Sequence, residues 1–222
     1  MKKSIIFASK DFFIYNKEKY EFDNISEVSH LFRSNIKIVI LEEDLLVKQF
    51  KNKINKFKLS KFVNKVIDND FPQNGDILYD YEKKNNNIMI YYIKGARRIE
   101  RLAVDTKSIE VTPIQLVIKE AMTKTLKCNN FTCNALIKFE EVYYYIFFKE
   151  GLFNHGIVEE NKEFVLNKLI EDCDDKKIYI DESAIDIVSS HNEMKFTKMN
   201  IRRYFDEKIH EKQKFYSRKN SV

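Results

Sequence analysis

Four histidines, three cysteines and adjacent acids such as Glu140-Glu141, Glu159-Glu160 and Asp174-Asp175 are the side chains of this sequence best suited to catalysis or metal binding. His30, His155, His191 and His210 each lack a cysteine or a second histidine at ligand spacing, so they form no zinc-type set. Cys128 and Cys133 stand five apart and Cys173 stands alone. This is neither a paired zinc repeat nor an even-numbered disulfide framework, and it reads as reduced thiols. Glu140-Glu141, Glu159-Glu160 and Asp174-Asp175 fall at expected strand turns or helix ends. Glu159 and Glu160 are expected in the first turn of a helix, where the macrodipole favours negative charge. None of the acids assembles into a general acid/base pair. Phosphate chemistry needs backbone amides pressed against the anion, usually by glycine. The chain has four glycines, Gly75, Gly95, Gly151 and Gly156, and neither a G-x-G-x-x-G nor a Walker motif. Kinase motifs, G-x-S-x-G and H-E-x-x-H are also missing.

Charge is distributed more tellingly. Residues 195–222 carry nine Lys/Arg against three acids, which leaves 30 basic and 31 acidic residues in the first 194. The body is close to neutral and the surplus belongs to the tail. Within that tail Arg202, Arg203, Lys208, Lys212, Lys214, Arg218 and Lys219 are the candidate functional cations. Aromatics interleave with them, in Arg202-Arg203-Tyr204-Phe205 and Lys214-Phe215-Tyr216-Ser217-Arg218-Lys219. Such mixing suits either phosphate contacts with base stacking or an anionic membrane surface. Lys2 and Lys3 precede only a short apolar run, Ile5 to Ala8, so no signal peptide is expected. No stretch reaches the roughly 18 apolar residues of a membrane span, and the chain reads as soluble.

The elements that must position these residues follow from periodicity. Ser4–Ser9, Asp11–Asn16 and Glu18–Asp23 are expected strands, Asn24–Phe32 a short helix and Ile36–Leu41 a buried strand with Leu45–Phe50 as its partner. A helix over Lys58–Asp70 places Leu59, Phe62, Val63, Val66 and Ile67 on one face. Asp76–Tyr81 and Asn87–Ile93 form a hairpin, and Ala96–Asp105 is a helix. The strand Ser108–Val111 leads through Pro113 into a helix over Ile114–Leu126. The pattern then restarts with strands Thr132–Phe139, Val142–Lys149 and Leu152–Val158, a helix over Glu159–Glu171 and a strand at Lys177–Ile180. From Ile201 onward the reading is a basic amphipathic helix with Ile201, Phe205, Ile209 and Phe215 or Tyr216 on one stripe.

Three strands, a helix and a strand thus occur twice, near residues 4–41 and 132–180. This restart resembles the actin-like ATPase fold. More narrowly, the chain resembles the cytoplasmic domain of the GspL/PilM family of type II secretion and type IV pilus assembly. The resemblance is carried by Ile88–Ile93, the helix through Arg97, Arg98 and Leu102, and Ile109-Glu110-Val111-Thr112-Pro113-Ile114-Gln115 entering an inter-lobe helix. Asn134-Ala135-Leu136-Ile137, Tyr143–Phe148 and Gly151-Leu152 match the start of the second lobe. The resemblance implies an α/β (α+β), degenerate actin-like (ribonuclease H-like) two-lobed fold with mixed sheets plus a C-terminal basic helix. Its expected parts are a first lobe with inter-lobe helix over 1–127, a second lobe over 128–194 and a juxtamembrane helix over 195–222.

The family's ATPases carry a glycine-containing hairpin at the start of each lobe. Here those turns read Ala8-Ser9-Lys10 and Lys138-Phe139-Glu140, without glycine, which argues against ATP binding and favours the GspL branch. No cofactor, no metal and no catalysis are expected. The resemblance implies an adaptor on the cytoplasmic face of the inner membrane, linking an assembly ATPase to inner-membrane platform proteins, with a homo-oligomer among its assemblies. The contact surfaces would be first-lobe edge strands and the inter-lobe cleft. A span beyond Val222 would set the basic tail against the anionic leaflet. The competing expectation is a nucleic-acid-binding protein that uses the same tail.

Overall fold

A computed structural model of the chain describes residues 3–71, 77–94, 97–103, 106–173, 176–189, 194–204, 207 and 216–217. Two five-stranded sheets share one strand order. In the first, β1 (Ser4–Ala8) is flanked by β2 (Phe12–Tyr15) and β3 (Glu18–Glu21) on one side and by β4 (Asn35–Ile40) and β8 (Ser108–Pro113) on the other. In the second, β9 (Cys133–Phe139) has β10 (Val142–Lys149) and β11 (Leu152–Glu159) on one side, and β12 (Ile178–Asp181) and β13 (Thr197–Met199) on the other. In both, the hairpin side is antiparallel and the crossover side parallel. The lobes expected from the repeated pattern are therefore real duplicates in topology.

Between β4 and β8 the first lobe carries an insertion. β5 (Leu46–Lys51), β6 (Ile77–Lys84) and β7 (Asn87–Lys94) make a separate sheet covered by α2 (Lys56–Asp70), with α3 (Arg97–Arg101) leading back. Leu59, Val63, Val66 and Ile67 of α2 pack on Ile77, Ile88 and Ile90. Asn55 caps α2 by accepting the Phe57 N–H at 3.3 Å. The expected pairing of Leu45–Phe50 with Ile36–Leu41 is corrected here. Both edges of β4 are already taken by β1 and β8, so β5 pairs antiparallel with β7 instead. The hairpin is tighter than expected and turns at Asn85-Asn86, with Asn85 at φ +55.

α4 (Ile114–Leu126) is the inter-lobe helix. Pro113 stands just before it and Lys127 ends it in the left-handed region at φ +50. Its Ile118, Ala121 and Met122 belong to a core that also holds Ile38 of the first sheet and Tyr144, Ile146 and Phe148 of the second. On the second sheet's other face, Val165 and Leu169 of α5 (Lys162–Asp172) pack on Tyr143 and Tyr145.

Three further expectations change. Asn24–Phe32 is a succession of short helical turns, with α1 limited to Ile25–Val28, and Leu31 points outward at 53% exposure. Glu159 ends a strand instead of opening a helix. Asn161 caps α5, and the first-turn acid is Glu163. Finally, residues from 195 onward are not one helix. Thr197–Met199 forms β13 and completes the second sheet, so the second lobe runs past residue 194. Arg202–Tyr204 is helical, and Tyr216–Ser217 is a strand, β14, paired antiparallel with β6. Phe205, Ile209 and Phe215 of the expected stripe lie outside the described residues.

Candidate functional site

One face of β1 and β2 and the Phe139–Val142 segment of the second sheet line a cleft of about 1420 Å³. Of the duplicated hairpin turns, Glu140-Glu141 lines this cleft, and Ser9 of the other, Ser9–Asp11, bonds to Glu42, which lines it too. They close on the chain's own groups. Ser9 is buried, its N–H donates to Phe12 O at 2.8 Å and its hydroxyl donates to the Glu42 carboxylate. The Glu42 N–H donates to Tyr144 Oη at 3.4 Å, a bond from first lobe to second. Burial, with Glu42 and Glu140 nearby, holds the Tyr144 phenol well above its ordinary range, so the group stays neutral.

The cleft also holds an aromatic contact. Phe7 of β1 and Phe139 of β9 have ring centroids 5.2 Å apart, and the Arg202 guanidinium lies 4.8 Å over the Phe139 ring. Carboxylates line the same end of the cleft, from Glu42, Glu140, Glu141 and Glu160. At the distal end Lys3 pairs with Glu110, as does the fully buried Lys37 at 3.6 Å. Lys37 and Glu110 are direct neighbours in the β4–β8 register.

These residues do not fit a nucleoside triphosphate. A phosphate-binding turn offers free amides and close approach. Here one turn is tied to Glu42 and the other presents adjacent carboxylates, with Glu140 forced to φ +53. Two like charges at 4 Å repel by about 4 kcal/mol even at an effective dielectric of 20. The Phe7–Phe139 pair puts two apolar rings on the cleft wall beside the second turn. Among the described residues no three His, Cys, Asp or Glu side chains come together to hold a metal ion.

Of the seven tail cations, Arg202 and Arg203 are described. Arg202 stacks on Phe139, and Arg203 lies 5.3 Å over the Tyr204 ring. Lys208, Lys212, Lys214, Arg218 and Lys219 lie outside the described residues. The start of the tail is bound to the second lobe. Asp181, fully buried, accepts the N–H groups of Ile201 at 2.5 Å and Arg202 at 2.9 Å, and Lys124 of α4 pairs with Glu207. Sequence reasoning missed the Phe7–Phe139 contact and the Asp181 clamp. Their signal was only that Phe139 falls beside the second turn and that Asp181 directly follows a buried strand.

The shared strand order, the inter-lobe helix and the cleft at the hairpin turns define an actin-like fold. No protein-family model and no curated protein sequence matches the chain. Solved structures do match in shape. A Bacteroides thetaiotaomicron protein with actin-like ATPase fold and unknown function aligns with TM-score 0.58 at 11% identity, over 93% of this chain and 94% of that one. The cytoplasmic domain of EpsL, an inner-membrane component of the type II secretion system of Vibrio cholerae, aligns with TM-score 0.52 at 7% identity, over 92% of each chain. The PilM–PilN type IV pilus biogenesis complex supplies a third match, with TM-score 0.54 at 6% identity, over 89% of this chain and 82% of that one. No helix among the described residues is long and apolar enough to cross a membrane.

Proposed function

We propose that this chain is a non-catalytic adaptor of a type II secretion or type IV pilus assembly system, acting by docking at the cytoplasmic face of an inner-membrane platform. The observation that carries this reading is the state of the cleft. The two turns that cradle phosphates in an actin-like ATPase are here closed by Ser9–Glu42 and by Glu140-Glu141, with Phe7 against Phe139 in the cleft. A fold of this kind without a nucleotide site is suited to present surfaces. Two of the structures it resembles are named as assembly components. Its partners would be the assembly ATPase, platform proteins and, through the tail cations, the anionic leaflet. Self-association belongs to the same reading.

Co-purification tests it. The tagged chain, expressed with the secretion or pilus components of its own cell, should retain the assembly ATPase or a platform protein at physiological salt and show no ATP turnover. ATP hydrolysis by the pure chain, lost on substituting cleft residues, overturns the non-catalytic reading. Retention of neither component overturns the adaptor role.

The nucleic-acid alternative draws less support. Arg202 and Arg203 already stack on the protein's own aromatic rings, and the body is near neutral.

A further inference from the structure

The two sheets have the same strand order but are not equally covered. In the second lobe β9 and β10 are buried on both faces, one under α4 and the other under α5. In the first lobe one face of β1 and β2 is equally buried. Ile6, Ala8, Phe13 and Tyr15 pack under Phe22, Val28 and Phe32. The opposite face is not. Ile5, Phe7, Phe12 and Ile14 alternate with those buried residues and remain half-exposed, and all four line the large cleft. A layer present in one lobe has no full counterpart here.

We propose that this face docks one amphipathic helix of a partner protein, with the helix N-terminus toward Glu140-Glu141 and its C-terminus toward Lys17 and Arg33. The proposal rests on the adaptor reading and names the chemistry of one of its contacts.

Three observations select a helix. β1 is central, hydrogen-bonded to β2 and β4, so its backbone offers nothing to an added strand. A ligand on the sheet face must satisfy its own backbone groups, which a helix does. The length also fits. Lys3 to Phe7 spans about 13 Å at strand rise, and the Phe7–Phe139 contact adds 5.2 Å. Some 18 Å accommodates a helix of about twelve residues, longer than a drug-sized ligand needs.

Charge then selects the direction. The cleft at the lobe junction carries Glu42, Glu140, Glu141 and Glu160 against the single cation Arg202, and its far end is basic through Lys17 and Arg33. Among the described residues Lys17, Arg33, Glu140 and Glu160 form no ion pair. A helix laid this way sets the positive end of its macrodipole on the carboxylates and the negative end on the cations. Apolar residues at i, i+3, i+4 and i+7 would meet the floor.

The experiment uses the full chain and two labelled 14-residue peptides with one leucine stripe. The first carries lysines in its first turn and glutamates in its last; the second has these charges exchanged. Fluorescence anisotropy is expected to show the first binding at least tenfold tighter. The surface variant Lys17→Gln/Arg33→Gln/Glu140→Gln/Glu160→Gln should bring the preference below about threefold, and Ile14→Glu should weaken both peptides. These four surface positions are exposed, so the lost preference stays readable even if Ile14→Glu fails to fold. Equal binding of both peptides, a preference unchanged in the quadruple variant, or no binding up to about 1 mM (about −4 kcal/mol) overturns the proposal. The adaptor reading is judged separately by co-purification, so either can fail while the other stands.

Discussion

Asp181 Oδ2 accepts the backbone N–H of Ile201 at 2.5 Å, joining the end of β12 to the residue just before the tail's helical turn. The same oxygen takes the Arg202 N–H at 2.9 Å, while Oδ1 takes the Ser183 N–H at 2.9 Å. One buried carboxylate therefore starts two turns, the 3-10 segment Glu182–Ile187 and the turn beginning at Arg202. Each has donors that no earlier carbonyl can reach. The clamp fixes where Arg202 leaves the body and hence that its guanidinium reaches Phe139.

Asp181→Ala strips the partner from three amides in a fully buried site. It should cost about 2–4 kcal/mol of stability, read as a fall in urea midpoint. Asp181→Asn keeps an acceptor oxygen and should lose less. In native-state hydrogen exchange the Ile201 and Arg202 amides should lose protection before the β9–β10 ladder does.

Glu140 adopts φ +53 at the second hairpin turn, a conformation that glycine adopts without strain. Glu140→Gly should therefore raise stability by about 0.5–1 kcal/mol. It should not create a nucleotide site, because Glu42, Glu141 and the Phe7–Phe139 contact remain. Calorimetry with Mg-ATP should show no saturable binding below about 1 mM for either protein. Tight binding by the native chain would contradict the cleft's chemistry.

Burial pushes the Asp80 carboxyl up to about 6, despite a hydrogen bond from the Tyr81 N–H and the nearby Lys119. A folded-state value above the unfolded one means that the folded chain holds this proton more tightly. The group costs nothing below the ordinary carboxylate range, and its penalty grows as pH rises through about 6. Asp80→Asn should stabilise the protein by about 1–2 kcal/mol at pH 7.5 and leave it unchanged near pH 4. Paired urea titrations at the two pH values check this.

The tail cations should bind anionic vesicles. Replacing Lys212, Lys214, Arg218 and Lys219 by alanine removes four contributions of about 1 kcal/mol each at low salt. Partition onto phosphatidylserine vesicles should fall at least tenfold at physiological salt, with neutral vesicles unaffected. Unchanged binding would remove the membrane role from the tail.

Much of the fold was legible in sequence because it is local. The alternation in Val142–Lys149, the apolar run Ile36–Leu41 and the Thr112-Pro113 helix entry each report their own geometry. What escaped depended on distant competition. Nothing in Leu46–Lys51 says that β8, over fifty residues later, takes the edge of β4 and sends β5 to another sheet. The acids at residues 159 and 160 suit a helix start, but β10 holds Glu159 in register with Tyr143, and Asn161 is the better cap. For the site, the missing glycines were visible and the obstruction was not. Phe7 and Phe139 are ordinary strand aromatics until the two sheets meet. The tail's charge was plain, yet its first cations are spent within the protein.

The insertion sits in one lobe only, and this orders assembly in time. The second sheet closes through short links, its longest being residues 160–177 between β11 and β12. The first sheet cannot gain β8 until residues 41–107 have been spanned. Closing the longer loop costs more entropy before any contact repays it. The second lobe should therefore nucleate folding, with α4 laid on it, and the first sheet should be completed last. Kinetic trapping of this protein would then leave a formed second lobe beside an open first one.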